Sequence, residues 1–391
     1  MSAPDEPAET FIEEEDDWID SLKEPFRSEF LATVAELPVA RIRRLPPPKE
    51  GRIPFGHEWR VLRRFLAGES TLFDPSAFWR LYHRRASDRE RDFYRAFILN
   101  EPVARSTWSE LIGASTLDAW IEKKLVRETA GGLRCRFAIY SIGQVTLIGD
   151  PWRSNLLRRV LVGQDSFNMA EFMLARGLDR NRRYLDVGPG SGVVLLTVAP
   201  YGDECVGVDI NPRAVEISRL NAQVNGASNC TIHFDDAIAN ASKFGSFDLV
   251  TWNTPFVFLP PECKDTHFDA YGGRLGMEVL LNFMGVLPQL IAEGGRAYVA
   301  AAAPILSSGE NLLEPELRNA GRRLNLDVHE HITQTYWHDI YRDFHEAHDI
   351  QKFEHSFLEI RHGTGALSRT EPPLAGRLSD RARELAFRVR K

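Results

Sequence analysis

The chain has 391 residues, a formal net charge of −7, and 43% hydrophobic and 26% charged residues, a composition that supports globular folding and a length that suits two domains. No segment approaches the ~20 uncharged apolar residues of a membrane span, and the acidic start does not read as a secretory leader. The four cysteines, Cys135, Cys205, Cys230 and Cys263, form no CxxC pair, which predicts free thiols in a reducing compartment and a cytoplasmic protein.

Charge is segregated along the chain. Residues 1–39 carry twelve acids against Lys23 and Arg27, and residues 40–95 carry thirteen arginines and Lys49 against seven acids. Two readings stay open: a solvated acidic tail beside a basic domain, or a basic docking patch for RNA with the tail competing for it.

Residues 1–16 are expected to be a disordered acidic tail, and residues 17–56 a helix followed by a Pro-rich linker. Between Trp18 and Glu36 apolar residues recur at helical spacing, interrupted by Pro25. This face requires a partner, either the rest of the chain or a second copy, so a homodimer through residues 18–36 is one expectation. Residues 57–150 predict helices over 59–66, 76–84, 89–99, 106–112 and 115–124, then β-favouring runs to Ile148. That order resembles a winged-helix domain. Asp118 and Glu122 place acids on its second short helix, where phosphate contacts need positive charge, so a structural or capping role is favoured over nucleic-acid reading.

From Arg183 short apolar strands alternate with helices, the pattern of a parallel α/β sheet. Strands are expected at 184–187, 204–209, 231–234, 247–252, 296–301, 324–332 and 355–361. They predict a doubly wound, seven-stranded Rossmann-like sheet over residues 151–365, followed by a C-terminal extension over 366–391.

Three motifs follow the first three strands. Gly188, Gly190 and Gly192 form a G-x-G-x-G turn in which a ligand can approach the backbone closely. The dinucleotide fingerprint needs its third glycine one residue later, where Val193 stands. Asp209, at the second strand tip, is placed to accept ribose hydroxyls, an arrangement that nicotinamide-binding folds share. In Phe234-Asp235-Asp236-Ala237 either carboxylate can accept the amine of adenine, or can cap the next helix.

The fourth strand is followed by Asn253-Thr254-Pro255-Phe256. A planar nitrogen is a poor nucleophile because its lone pair is delocalised. Two acceptors, a carboxamide oxygen and the next backbone carbonyl, can hold such an NH₂ group so that the lone pair localises, while an aromatic ring stacks on the flat substrate.

With Asp186 two residues before Gly188, the glycine turn resembles that of class I S-adenosylmethionine-dependent methyltransferases, and Asn253–Phe256 resembles their N-P-P-Y/F signature. Residues 160–300 are similar to the subset containing release-factor glutamine and ribosomal RNA guanine-N2 methyltransferases. Tyr271–Gly276 also matches a loop of that family. The resemblance implies S-adenosylmethionine as cofactor. It would be held by Gln164, Asp165 and Ser166, by Asp186 with Gly188, Gly190 and Gly192, by Asp209, Ile210 and Asn211, and by Asp235, Asp236 and Ala237. Asn253, Thr254, Pro255 and Phe256 would form the catalytic turn. Thr254 stands where the family has proline, although Pro255 still biases it toward an extended backbone.

The stretch 333–354 reads as a long connection at the ligand-binding rim. Tyr336, Trp337, Tyr341, Asp339, Asp343 and Glu346, with Glu262 nearby, suit an aromatic and acidic wall for a cation such as guanidinium. An amphipathic helix packing its aromatics on the core is the alternative. His345 and His348 share a helical face, but the chemistry needs no metal and none is expected. The leading expectation is methyl transfer to a guanidino or amide nitrogen of a small molecule such as free arginine or a specialised metabolite. The rivals are methylation of a ribosomal RNA base or a protein side chain, and a winged-helix regulator that senses S-adenosylmethionine.

Overall fold

The computed structural model describes residues 17–37, 87–142, 144–151, 154, 158–178, 182–336 and 341–370. The tail 1–16, the expected helices 59–66 and 76–84, the linker 43–56, most of the basic stretch, Trp337, Asp339 and residues 371–391 lie outside the described residues.

A short 3₁₀ turn, Trp18–Ser21, leads into α1 (Phe26–Glu36). Helix α2 (Asp88–Phe93) starts at a capping box in which Ser87 and Glu90 satisfy each other's backbone amides, and it runs on as one π turn, Tyr94–Ile98. Helices α3 (Arg105–Ile112) and α4 (Ala114–Glu122) follow, then the hairpin β1 (Val126–Thr129) and β2 (Gly132–Cys135). Val103 bridges to Leu133 and so ties the approach to α3 to that hairpin. On α4, Asp118 is paired with Arg105 and Glu122 with Lys123.

The face of residues 18–36 is covered within its own chain. Trp18 lies 5.3 Å from Phe137, and Phe30 lies 5.3 Å from Phe137 and 5.4 Å from Trp120, ring to ring. Trp18, Phe30 and Val34 are fully buried in this aromatic core. The surface considered for a homodimer is therefore already spent, because Trp120 and Phe137 supply the apolar partner.

A second hairpin, β3 (Ala138–Ile142) and β4 (Val145–Gly149), leads to α5 (Gln164–Arg176) and the main sheet. The sheet contains β5 (Arg182–Val187), β6 (Gly202–Asp209), β7 (Cys230–Phe234), β8 (Phe247–Trp252), β9 (Ile291–Leu306), β10 (Leu326–Tyr336), β11 (Ile350–His362) and β12 (Leu367–Thr370). Its order is β7-β6-β5-β8-β9-β11-β10-β12, with β11 antiparallel to both neighbours and the other pairs parallel. Helices α6 (Val193–Val198), α7 (Pro212–Val224), α8 (Glu278–Leu290) and α9 (Leu313–Leu324) connect the strands, and α10 (Arg342–Ala347) lies between β10 and β11. The order reverses between β5 and β8, which opens a crevice beyond their carboxyl ends.

Two expectations are corrected here. The sheet has eight strands, because β12 pairs with β10 at the edge, where Arg369 bonds the buried Glu330 at 2.7 Å. The connection read over 333–354 is also shorter. Residues up to Tyr336 and from Ile350 onward are strand, so Tyr336 is 5% exposed and stacks on Phe353 at 5.4 Å and 17°. It is a core residue rather than part of a rim wall.

The β3–β4 hairpin is fastened to α7 by amide side chains. Asn225 exchanges two hydrogen bonds with the backbone of Thr146 (2.8 and 2.6 Å), and Asn221 exchanges two with Ile148 (both 2.8 Å). Residues four apart on a helix rise ~6 Å and residues two apart on a strand ~6.6 Å, so the two ladders nearly match. Helix α7 thereby acts as a neighbouring strand for β4. Asn221 also donates to Ser191 O at 2.8 Å, so this joint reaches the glycine turn.

Candidate active site

The site is assembled at the tips of β5, β6, β7 and β8. Asp186 is buried on β5, opposite Thr251 of β8, and accepts from Thr251 Oγ1 at 2.7 Å and from Leu195 N, in the first turn of α6, at 3.0 Å. Burial pushes its carboxyl up to about 7, against these two hydrogen bonds. The turn then passes through Gly188 and Gly190 with φ of 59° and 57°. A Cβ at Gly188 would stand 3.0 Å from Trp252 Nε1, while one at Gly190 would enter open space. Gly190 needs glycine for its backbone angle, and the open space beside it is where a ligand can approach.

Asp209 ends β6, 7% exposed, and accepts from Gly190 N at 3.1 Å and Asn211 N at 2.8 Å. Burial raises its pKa, opposed by those bonds. Asn211 caps α7 by accepting from Arg213 N at 3.1 Å and donates to Arg158 O at 3.0 Å, which ties the segment before α5 to the β6 tip.

Opposite Asp209 in the β6–β7 register stands Phe234, 62% exposed, and the residue after Asp209, Ile210, is 47% exposed. Among the described residues only Leu174 is another large hydrophobic so exposed. Two bare apolar side chains at adjacent strand tips suit a flat aromatic base. Sequence reading selected Ile210 and missed Phe234. The available signal was an aromatic residue at a strand end directly before two acids.

Asp235 and Asp236 differ. Asp235 accepts from Asp236 N at 2.8 Å, Asn240 Nδ2 at 2.7 Å and Lys243 Nζ at 3.1 Å, which hold its pKa down. Asp236 uses Oδ1 for Ile238 N (2.8 Å) and Ala239 N (2.9 Å), and its Oδ2 accepts no hydrogen bond among the described residues. Asp236 thus fastens the turn 237–240 rather than capping the next helix, Ala241–Lys243, whose N-cap is Asn240, and one oxygen is left for a ligand. Ala237 is buried behind it.

Asn253 follows β8, and its Nδ2 donates to Ser166 Oγ at 3.1 Å, so the first turn of α5, with Gln164, Asp165 and Ser166, meets the catalytic turn. The Asn253 Oδ1 is buried without a hydrogen-bond partner. An unmatched buried acceptor costs ~1–3 kcal/mol, and a donor brought by a substrate would satisfy it. Thr254 is buried, and its hydroxyl donates to Ala300 O of β9 at 2.6 Å. The residue that departs from the proline signature therefore supplies a tether of its own. Pro255 is half-buried. Phe256 is 9% exposed and meets His355 in an edge contact at 5.1 Å, so little of its ring is left for a substrate. A Cβ at Gly276 would stand 2.5 Å from Phe256 O, so the Tyr271–Gly276 loop packs directly on the turn.

The remaining candidates are more scattered. Glu262 is exposed on a 3₁₀ turn, Pro261–Cys263, beside which Tyr341 OH lies 3.6 Å from Cys263 Sγ. His345 and His348 enclose Phe258: His345 Nε2 lies 2.8 Å from Phe258 O, and the ring of His348 is 5.1 Å from that of Phe258.

Residues 178–345 match a family model described as a methyltransferase domain. The chain is 33% identical over 123 residues to a protein named as an N5-glutamine methyltransferase in Methanocaldococcus jannaschii, covering 30% of this chain and 59% of that one. It is 31% identical over 144 residues to the release factor glutamine methyltransferase of Chlorobaculum tepidum, covering 32% of this chain and 48% of that one. The human methyltransferase HEMK2 is 32% identical over 127 residues, covering 29% of this chain and 57% of that one. The chain thus spans about half the length of these relatives. With the strand order and the glycine turn, the match makes residues 178–345 similar to class I S-adenosylmethionine-dependent methyltransferase domains. Within that class it resembles the protein glutamine methyltransferases.

Proposed function

We propose that this protein methylates a carboxamide nitrogen on a protein side chain, with S-adenosylmethionine as donor. The observation that carries the proposal is the buried, unpartnered Oδ1 of Asn253 beside an otherwise satisfied turn. The relatives whose names state glutamine methylation favour a protein amide over a small molecule.

S-adenosylmethionine supplies a sulfonium-activated methyl group. Asp209 would accept its ribose hydroxyls, Ile210 and Phe234 would flank its adenine, and Asp236 Oδ2 would accept the adenine amine. Asp186 holds the glycine turn against α6 through Leu195 N. Gln164, Asp165 and Ser166 would border the methionine end. Asn253 Oδ1 and the Thr254 carbonyl would accept the two protons of the substrate NH₂, turning its lone pair toward the methyl carbon. Catalysis here is chiefly positioning, because both acceptors are set before the substrate arrives.

The guanidino reading loses Tyr336 from its aromatic wall, since that ring is buried against Phe353. The test is incubation with methyl-labelled S-adenosylmethionine and a cell extract separated into protein, RNA and small-molecule fractions. The expected result is label in protein, recovered after enzymatic digestion as side-chain N-methylglutamine. Label confined to RNA or small molecules contradicts the proposal.

A further inference from the structure

We propose that Nε2 of His355 receives the proton that leaves the acceptor nitrogen during methyl transfer. This inference rests on the amide-methylation reading above and adds a catalytic group that the Asn253 turn does not contain.

Position is the first argument. His355 lies on β11 opposite Ala302 of β9, three residues beyond Val299, which pairs with Trp252 at the end of β8. The His355 side chain therefore sits level with the turn that follows Trp252, and its ring meets Phe256 of that turn at 5.1 Å. The carboxylate of Asp165 acts electrostatically on His355, while the next residue, Ser166, bonds Asn253 at 3.1 Å. One residue of α5 thus bonds Asn253 while its neighbour lies within electrostatic range of His355.

Hydrogen bonding is the second. His355 is 2% exposed, and its Nε2, like Asn253 Oδ1, is buried without a hydrogen-bond partner. The other ring nitrogen, Nδ1, lies 2.7 Å from Thr333 Oγ1, and the Thr333 hydroxyl donates to His355 O at 3.0 Å. Thr333 has one proton to give. With that proton on the carbonyl, Nδ1 carries its own hydrogen and donates to Oγ1, so Nε2 keeps a lone pair. Thr333 is the extra residue at a register shift between Ile332 and Gln334. A bulge of this kind redirects a side chain, and bulges are enriched beside active sites.

The chemistry balances. The amide nitrogen forms a bond to the methyl carbon, the carbon–sulfur bond breaks with its electrons staying on sulfur, and one N–H proton leaves its acceptor oxygen on the turn and passes to Nε2. Burial lowers the pKa of His355 and keeps the imidazole neutral beforehand, while Asp165 opposes that shift and favours the imidazolium formed. A weak base is sufficient, because a nitrogen that has just gained a methyl group is far more acidic than before.

Two measurements on the full chain test this. Long-range proton–nitrogen spectra of protein labelled with ¹⁵N-histidine, assigned with His355→Gln, should show His355 neutral, with Nδ1 protonated and Nε2 bare. A proton on Nε2 overturns the proposal. Methyl transfer to the blocked peptide acetyl-Ala-Gln-Ala-amide should fall about 100-fold in kcat for His355→Gln and His355→Phe. The peptide KM and calorimetric affinity for S-adenosylhomocysteine should stay within about twofold, the latter showing that each variant folds. An unchanged kcat in either folded variant overturns the proposal. A wild-type protein that binds S-adenosylhomocysteine yet leaves the peptide unmethylated contradicts the amide reading instead, and the tautomer then decides for His355 alone.

Discussion

Ser166 Oγ accepts a hydrogen bond from Asn253 Nδ2 at 3.1 Å, across 87 positions of sequence. In this orientation the amine end is occupied and the oxygen is left for the substrate. Ser166→Ala should let the carboxamide rotate. The expected outcome is a fall in kcat of about tenfold, the equivalent of one lost hydrogen bond of about 1.4 kcal/mol, with cofactor affinity changed less than kcat. Steady-state kinetics beside calorimetry check it.

Thr254→Val removes the hydroxyl that meets Ala300 O at 2.6 Å and keeps the side-chain shape. A buried carbonyl loses its donor, so the variant should be destabilised by about 1–3 kcal/mol in urea unfolding. A variant as stable as wild type would mean that the tether between β8 and β9 contributes little.

Phe234→Ala deletes a ring that is 62% exposed. Little packing is lost, so the unfolding midpoint should barely move. Stacking on a base is worth ~1–3 kcal/mol, so the dissociation constant for S-adenosylhomocysteine should rise about tenfold or more. Unchanged affinity in calorimetry would place the adenine elsewhere.

Asp186 gives the fold a pH dependence. Its folded pKa is raised to about 7, mainly by burial. Between the unfolded value near ~4 and this folded value, the native state holds a proton that the unfolded chain has released, so stability falls as pH rises through that window and levels off above it. Asp186→Asn lacks this term. Denaturant midpoints across about pH 5 to pH 8 should shift in favour of the variant as pH rises, whereas parallel curves would show that Asp186 ionises normally. Asp209, whose pKa burial also raises, titrates in both proteins, and its charge adds to the rise at Asp186.

Much of the site was legible because it depends on residues with special local chemistry. Gly188 and Gly190 announce a turn with positive φ, Asp209 a carboxylate at a strand tip, and Asn253–Pro255 an extended turn after a strand. The parallel strands were legible as apolar runs between helices. The missing parts depend on pairings distant in sequence. β12 is four residues long and largely exposed, so it carries almost no apolar signal, and its place comes from Arg369 reaching Glu330. Tyr336 reads like a rim aromatic until β10 is seen to continue through it to Phe353. Nothing near Ser166 or His355 in sequence signals Asn253 or Phe256. Trp18 and Phe30 did announce a buried face, but only the fold shows that Phe137 and Trp120 cover it.

Central to the proposed catalysis is an Asn253 carboxamide that acts only once the acceptor is being methylated. Its direct test is single-turnover transfer from labelled S-adenosylmethionine by wild type and Asn253→Ala, with cofactor affinity measured by calorimetry on the same samples. The transfer rate should fall at least about 100-fold while cofactor affinity stays within about threefold. Equal transfer rates, or a loss of rate fully explained by lost cofactor binding, would contradict it.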